Sequence, residues 1–245
     1  MATKTLKTPQ KITVKIWTPI IDKLDEKMRI ACLRRDPYLA RLLDAELPKL
    51  DEEVSLPNSP AAHAFVGTRL DALERKVVSL TLRPDLIEQL NDICRRKKIV
   101  RDAFFNRLFL LLAVAPMIVD KLLFGGDEWK AELWRDTRDD RNFWESDLYP
   151  LRSAIDPFWA IRVGLEIYAE ATNTEDFQDP ESGKTIRVER KDGAVYPVTS
   201  VYTKFFSDQP KSTDLTGMNC YVPDWRVPNT PAAFKRKQLD ELLSI

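Results

Sequence analysis

The chain has one histidine, His63, and three cysteines, Cys32, Cys94 and Cys220, set far apart. A lone histidine in a Pro/Ala stretch reads as solvated, and no CxxC pair, glycine-rich phosphate loop or nucleophile elbow accompanies it. Odd, widely spaced cysteines imply reduced thiols and a cytoplasmic setting rather than a disulfide framework. Long apolar runs are also lacking: Leu108 to Val119 is too short for a bilayer, is broken by Pro116, and reads as a buried helix. No secretory signal is read at the start. The acidic run DTRDDRNFWESD, Asp136 to Asp147, interleaves its carboxylates with arginines. It reads as a solvated charged segment rather than a nuclease metal cluster. These absences predict a protein that is not an enzyme, carries no cofactor or metal and does not enter a membrane.

Net charge is the next absence, with 38 basic residues against 38 acidic ones in 245. The global balance therefore points to no partner, but the distribution does. Residues 1 to 46 hold ten Lys plus Arg against six acids, and residues 76 to 113 hold eight against four. The stretch between them and the tail from 114 onward are acidic. Positive charge thus concentrates in two separate segments.

Those segments repeat one another at a spacing of sixty-six residues. Ile12, Val14 and Ile16 superpose on Val78, Leu80 and Leu82, Leu24 falls on Leu90, and Leu42 on Leu108. The polar junctions match too: Arg35 on Arg101, Asp36 on Asp102, Arg41 on Arg107. No gap is needed across about thirty-six positions, which makes chance similarity a poor explanation. In each copy an alternating segment predicts a strand with one apolar face. Lys11, Thr13 and Lys15 lie on the polar face of the first. Thr18 then Pro19 marks a helix start, with the hydroxyl positioned to cap. Ile21, Leu24 and Met28 follow at helical spacing, LRRDP breaks that helix, and a second one runs through Leu39, Leu42 and Leu47 until Pro48 stops it. The second copy predicts a strand over Val77 to Leu82, a helix from Pro84, a break near Lys98 and a strongly apolar helix from about Arg101.

Between the copies, SLPNSPAAH reads as a loop and RLDALERK as a short helix. The expected division is repeat 1 over 1–47, a linker over 48–75, repeat 2 over 76–115, and a C-terminal α+β region over 116–245. That region predicts helices at Met117 to Leu123, Glu128 to Trp134 and Pro157 to Ala171. A hairpin follows, pairing Ile186 to Arg190 with Ala194 to Val198 about a turn at Asp192 and Gly193. Residues 205 to 231 read as irregular and Ala232 to Leu243 as a closing helix, whose Lys235 to Lys237 forms a cationic face. All tryptophans except Trp17 fall in this tail, which suits a packed domain or a contact surface equally.

A strand followed by two helices within about forty residues resembles the ribbon-helix-helix superfamily, the MetJ/Arc/CopG group of DNA-binding repressors. The resemblance spans residues 11 to 47 and 77 to 113. It implies a mainly α fold with short β, in which the two copies pair their strands antiparallel, here inside one chain as a pseudo-dimer. It further implies sequence-preferring binding of double-stranded DNA and transcriptional regulation in a bacterial, plasmid or phage setting. The groove-facing positions fall on Lys11, Thr13 and Lys15, and on Val77, Ser79 and Thr81. The family's phosphate anchor, at the N-terminus of each second helix, falls on Arg34, Arg35 and Asp36, and on Val100, Arg101 and Asp102. Departures are visible: Arg34 and Val100 stand where the family places a small hydroxyl cap, and the second ribbon face lacks lysine. Either the two DNA half-sites differ, or only the first copy touches nucleic acid and the second is architectural. The rival reading is an assembly or accessory subunit of a plasmid, defence or mobile-element complex that binds protein or RNA. In the DNA-binding reading the acidic tail would fold over the core, bind an effector or a protein partner, or mediate further assembly, and self-association of the chain stays open.

Overall fold

A computed structural model describes residues 8–124, 148–171, 174–178, 183, 185–191, 194–197, 200–206 and 213–243. The helix expected at Glu128 to Trp134, the acidic run from Asp136 to Asp147 and the turn at Asp192 and Gly193 lie outside them. The described part is mainly helical with a small two-stranded antiparallel sheet and a separate three-stranded one.

Alternation places the first strand, β1 (Gln10–Trp17), so that Val14 and Ile16 point inward and Lys11, Thr13 and Lys15 outward. It pairs antiparallel with β2 (Arg75–Leu82), in the same chain, with Thr13 opposite Ser79 and Val14 opposite Val78. Helix α1 (Thr18–Ile30) follows β1, and α4 (Pro84–Lys97) follows β2. Each carries a proline in its first turn, where no backbone donor is missed. The Thr18 hydroxyl does not cap α1 as its sequence position suggested. It donates instead to the Glu74 carbonyl at 3.1 Å, as does the Thr18 N–H at 3.0 Å, which ties the start of α1 to the approach of β2.

Both of these helices end in a left-handed residue that is not glycine, Cys32 at φ 55° and Lys98 at φ 50°. The N–H of Leu33 then donates to Met28 O at 2.8 Å and that of Ile99 to Cys94 O at 2.9 Å. This six-to-one closure satisfies a terminal carbonyl and turns the chain sharply into the next helix. All three residues of each closure sit sixty-six positions apart, so the spacing read from the sequence governs the turn as well as the strands.

Helix α2 (Arg35–Glu53) runs through Pro48 rather than stopping at it. Pro48 lies on the exposed side, where water can take the carbonyl freed one turn earlier, while Leu47 and Leu50 on the opposite side stay fully buried. At the corresponding place the second half does break: α5 (Arg101–Ala113) ends and α6 (Pro116–Phe124) begins. The linker also departs from expectation. A helix, α3 (Pro60–Asp71), starts inside the supposed loop, because the Ser59 hydroxyl accepts from the Ala62 N–H at 3.0 Å and Pro60 opens the first turn. Ala62, Val66 and Leu70 then share one buried face. Of the segment read as a short helix, Arg69 to Asp71 form the last turn of α3, and Arg75 and Lys76 open β2.

Helix α1 packs on α5 and α2 on α4, so each half covers the other. One core joins the inner ribbon face, including Val14, Ile16, Leu80 and Leu82, to those four helices. It continues without a break into Phe158, Leu165, Tyr202, Phe206 and Met218 of the tail. Within α5 every residue from Ala103 to Ala113 is buried, as an amphipathic helix would be only if covered on both sides. Helix α7 (Trp159–Ala171), strands β3 (Thr174–Gln178), β4 (Thr185–Lys191) and β5 (Ala194–Pro197), and helix α8 (Pro231–Leu243) follow, with short 3-10 turns at Tyr149–Leu151, Thr216–Met218 and Asp224–Arg226. The expected hairpin is the β4–β5 pair, with Lys191 opposite Ala194, and β3 adds on its other side.

Candidate nucleic-acid interface

Antiparallel pairing brings two outward-facing rows side by side. Lys11 stands opposite Thr81, Thr13 opposite Ser79 and Lys15 opposite Val77. All of these are exposed except Thr81, which is half-buried, and Val77 is 64% exposed although apolar. The six groove-facing positions expected from the sequence therefore form one continuous surface. Lys11 and Lys15 have no carboxylate within ion-pair reach among the described residues, so their charges face solvent.

A two-stranded ribbon leaves two open backbone edges, which would invite further strand pairing. Here the helices close both. On the β2 edge, Arg35 Nη2 donates to Ser79 O at 3.2 Å, and the Thr81 N–H donates to Asp36 Oδ2 at 3.0 Å. On the β1 edge, Arg101 Nη2 donates to Thr13 O at 3.0 Å, Asn106 Nδ2 donates to Lys15 O at 2.9 Å, and the Trp17 N–H donates to Asn106 Oδ1 at 2.8 Å. The N-termini of α2 and α5 consequently flank the ribbon on opposite sides. Neither has a side-chain cap: Arg34 and Val100 hold the capping positions and bond to the helix through their backbone carbonyls alone.

The cations expected at these helix starts divide by role. Arg35 is held by Asp25 at 3.1 Å and Asp36 at 3.4 Å as well as by Ser79 O, so its guanidinium braces the ribbon edge. Arg101 braces the opposite edge through Thr13 O. Arg34 is exposed and takes part in neither brace. The edge-closing residue that the sequence did not single out is Asn106. Its signal was present, as a lone amide inside the apolar run from Phe104 to Leu112.

Behind the ribbon lie two buried polar groups of a different kind. Glu46, in the middle of α2, is fully buried and meets Arg162 of α7 through two oxygens at 2.7 and 3.1 Å. Tyr202 donates to the same carboxylate at 2.6 Å and Lys49 approaches it at 3.2 Å. Burial, reinforced by the Glu46 charge, holds the Tyr202 hydroxyl well above its ordinary range. Arg162 also donates to Glu53 at 2.8 Å. Burial works against the Arg162 charge, but the Glu46 and Glu53 carboxylates outweigh it and raise its pKa. Arg107, wholly buried in α5, donates to Val201 O at 2.5 Å, Lys204 O at 2.7 Å and Asn219 Oδ1 at 3.3 Å, with its guanidinium 3.9 Å from the Phe206 ring centre. Desolvation pulls its pKa down to about 10. These groups bind the tail to the helices.

Among the described residues no group of His, Cys, Asp and Glu is arranged to hold a metal ion, and no helix is long and apolar enough to cross a membrane. His63, on α3, is exposed. No family model matches the chain, and comparison with curated proteins and with solved structures finds no match.

Proposed function

We propose that residues 11–47 and 77–113 are two ribbon-helix-helix units joined as a pseudo-dimer, and that the protein binds double-stranded DNA by laying its β1–β2 ribbon in the major groove. Transcriptional regulation is the role this activity would serve. The observation that carries the reading is the single outward surface formed by Lys11, Thr13 and Lys15 with Val77, Ser79 and Thr81. A two-stranded ribbon fits a groove about 12 Å wide, and alternate side chains then reach base edges. Lysine donates to guanine acceptors, and Ser or Thr hydroxyls bond either donors or acceptors. The exposed Arg34 supplies a cation beside the ribbon for a phosphate.

Fluorescence anisotropy with labelled duplexes tests this. Binding is expected to weaken steeply with salt, and Lys11→Ala with Lys15→Ala to lower affinity and reduce the salt slope by about 2. Duplex affinity that is absent, or indifferent to both substitutions, would remove the groove mechanism. The second reading, an assembly subunit that binds protein or RNA, draws on exposed Phe234 (58%) and Leu242 (68%) of α8. Stoichiometric co-purification with such a partner, together with no duplex binding, would favour it.

A further inference from the structure

Resting on the duplex-binding reading, we propose that the ribbon reads an asymmetric, non-palindromic duplex site and that a single chain fills it. Thr13 and Ser79 are equivalent residues of the two copies, and they are also direct cross-strand partners. The axis that relates the copies therefore passes through this pair, with one hydroxyl from each side at the centre. Rotation about it carries Lys11 onto Val77 and Lys15 onto Thr81. The two ends of the reading surface are thus unlike: Lys11 with Thr81 at one, Lys15 with Val77 at the other.

Base chemistry turns that difference into sequence preference. Lys11 and Thr81 together offer a cationic donor and a hydroxyl, which suit a guanine and a neighbouring polar edge. Lys15 and Val77 offer a donor and an apolar branched side chain, which suit a guanine beside a thymine methyl. Because β1 crosses both ends, it supplies a lysine to each, so neither end is mere architecture. Arg34 on one flank faces Val100 on the other, which extends the asymmetry to the helix starts. A ribbon made by two identical chains must present identical ends and reads a palindrome; joining the copies in one chain removes that constraint. The second chain is also unnecessary, since both ribbon edges are already closed by Arg35, Asp36, Arg101 and Asn106.

Selection of bound sequences from a randomised duplex pool tests the proposal, with stoichiometry measured by native mass spectrometry on the enriched site. The variant carrying Lys15→Thr and Val77→Lys makes the two ends alike by exchange on an exposed surface, and a thermal melt verifies that it folds. The wild-type chain is expected to enrich a motif without two-fold symmetry, bound one chain per duplex. Inverting one half of that motif should weaken binding by roughly 5- to 150-fold. The double variant should enrich a palindrome. A palindromic wild-type motif, two chains per site, or an unchanged motif for the variant would overturn the asymmetry while leaving duplex binding intact. Failure of the wild type to enrich any duplex would instead remove the binding reading itself, and this inference with it.

Discussion

Arg41 and Arg107 hold the same position in the two copies, yet Arg41 is exposed on α2 and Arg107 is wholly buried in α5. Arg107 gathers Val201 O, Lys204 O and Asn219 Oδ1 around its guanidinium and so fastens the tail over the second half. The same residue type at the same repeat position serves solvent in one copy and the interior in the other.

That contrast makes a paired test. Arg107→Ala takes this donor from the Val201 and Lys204 carbonyls and empties a fully buried site, and should destabilise the protein by about 3–5 kcal/mol. Arg41→Ala should fall within about 0.5 kcal/mol of wild type. Arg107→Lys should not restore stability, because an ammonium cannot span three acceptors in the fork geometry of a guanidinium. Urea denaturation followed by circular dichroism measures all three, and equal losses at the two arginines would contradict the assignment.

Gly217 lies where the tail meets α3. A Cβ built there would stand 2.5 Å from Leu70 N and 2.7 Å from Leu70 Cα, both backbone atoms that cannot rotate away. Gly217→Ala is expected to lower stability by about 1–3 kcal/mol through overpacking. Gly67→Ala, at a site with nothing within 4 Å, should be neutral or mildly stabilising because Gly67 sits inside a helix. The difference between their melting temperatures is the readout.

Glu53 gives a pH dependence. Burial is the largest influence on its carboxyl and raises the pKa above 4.5, with Arg162 opposing but not cancelling the effect. A raised carboxyl pKa means the folded chain holds the proton to higher pH than the unfolded chain. Its contribution is therefore fully present below about pH 4.5 and is lost as pH rises through the folded value. Glu53→Gln keeps a bond acceptor for Arg162 without the titration. Its stability relative to wild type should improve from pH 4 to pH 8, as read from urea midpoints at each pH. A constant difference would show that Glu53 titrates alike in both states.

The cysteines offer a chemical check on the packing. Burial pushes the thiols of Cys94 and Cys220 up to about 12, whereas Cys32 is exposed at the end of α1. Since the thiolate is the nucleophile, Ellman's reagent should modify one thiol in the native protein and three after denaturation. Rapid native reaction of two or three would place Cys94 or Cys220 at the surface.

Much of the ribbon half is legible without the fold. Alternation in KITVKI and its distant twin separates inner from outer strand residues, and the sixty-six-residue spacing identifies both strands and the helices that follow them. What resisted reading depends on partners distant in the chain. The sequence offered Thr18 as a cap, but a carbonyl at Glu74 takes its hydroxyl. Pro48 looked like a helix stop, but only its exposure on the finished surface decides that α2 continues. Asn58 sat in a segment that composition marks as loop, yet it is buried, donating to Lys98 O and Cys220 O and accepting from the Val222 N–H.

The amino-acid order alone determined which residues make the outer face of the ribbon and where its two helices begin again, because strand and helix periods are local properties of the chain. Tertiary structure decided how that face is assembled and what covers the rest. Only antiparallel pairing within the chain sets Lys15 beside Val77 and gives the two ends different chemistry. Only the folding of the tail onto α5 takes Arg107 out of water and leaves Arg41 in it. The register of two strands and the burial of a charge both rest on contacts between segments far apart in sequence, which no local pattern specifies.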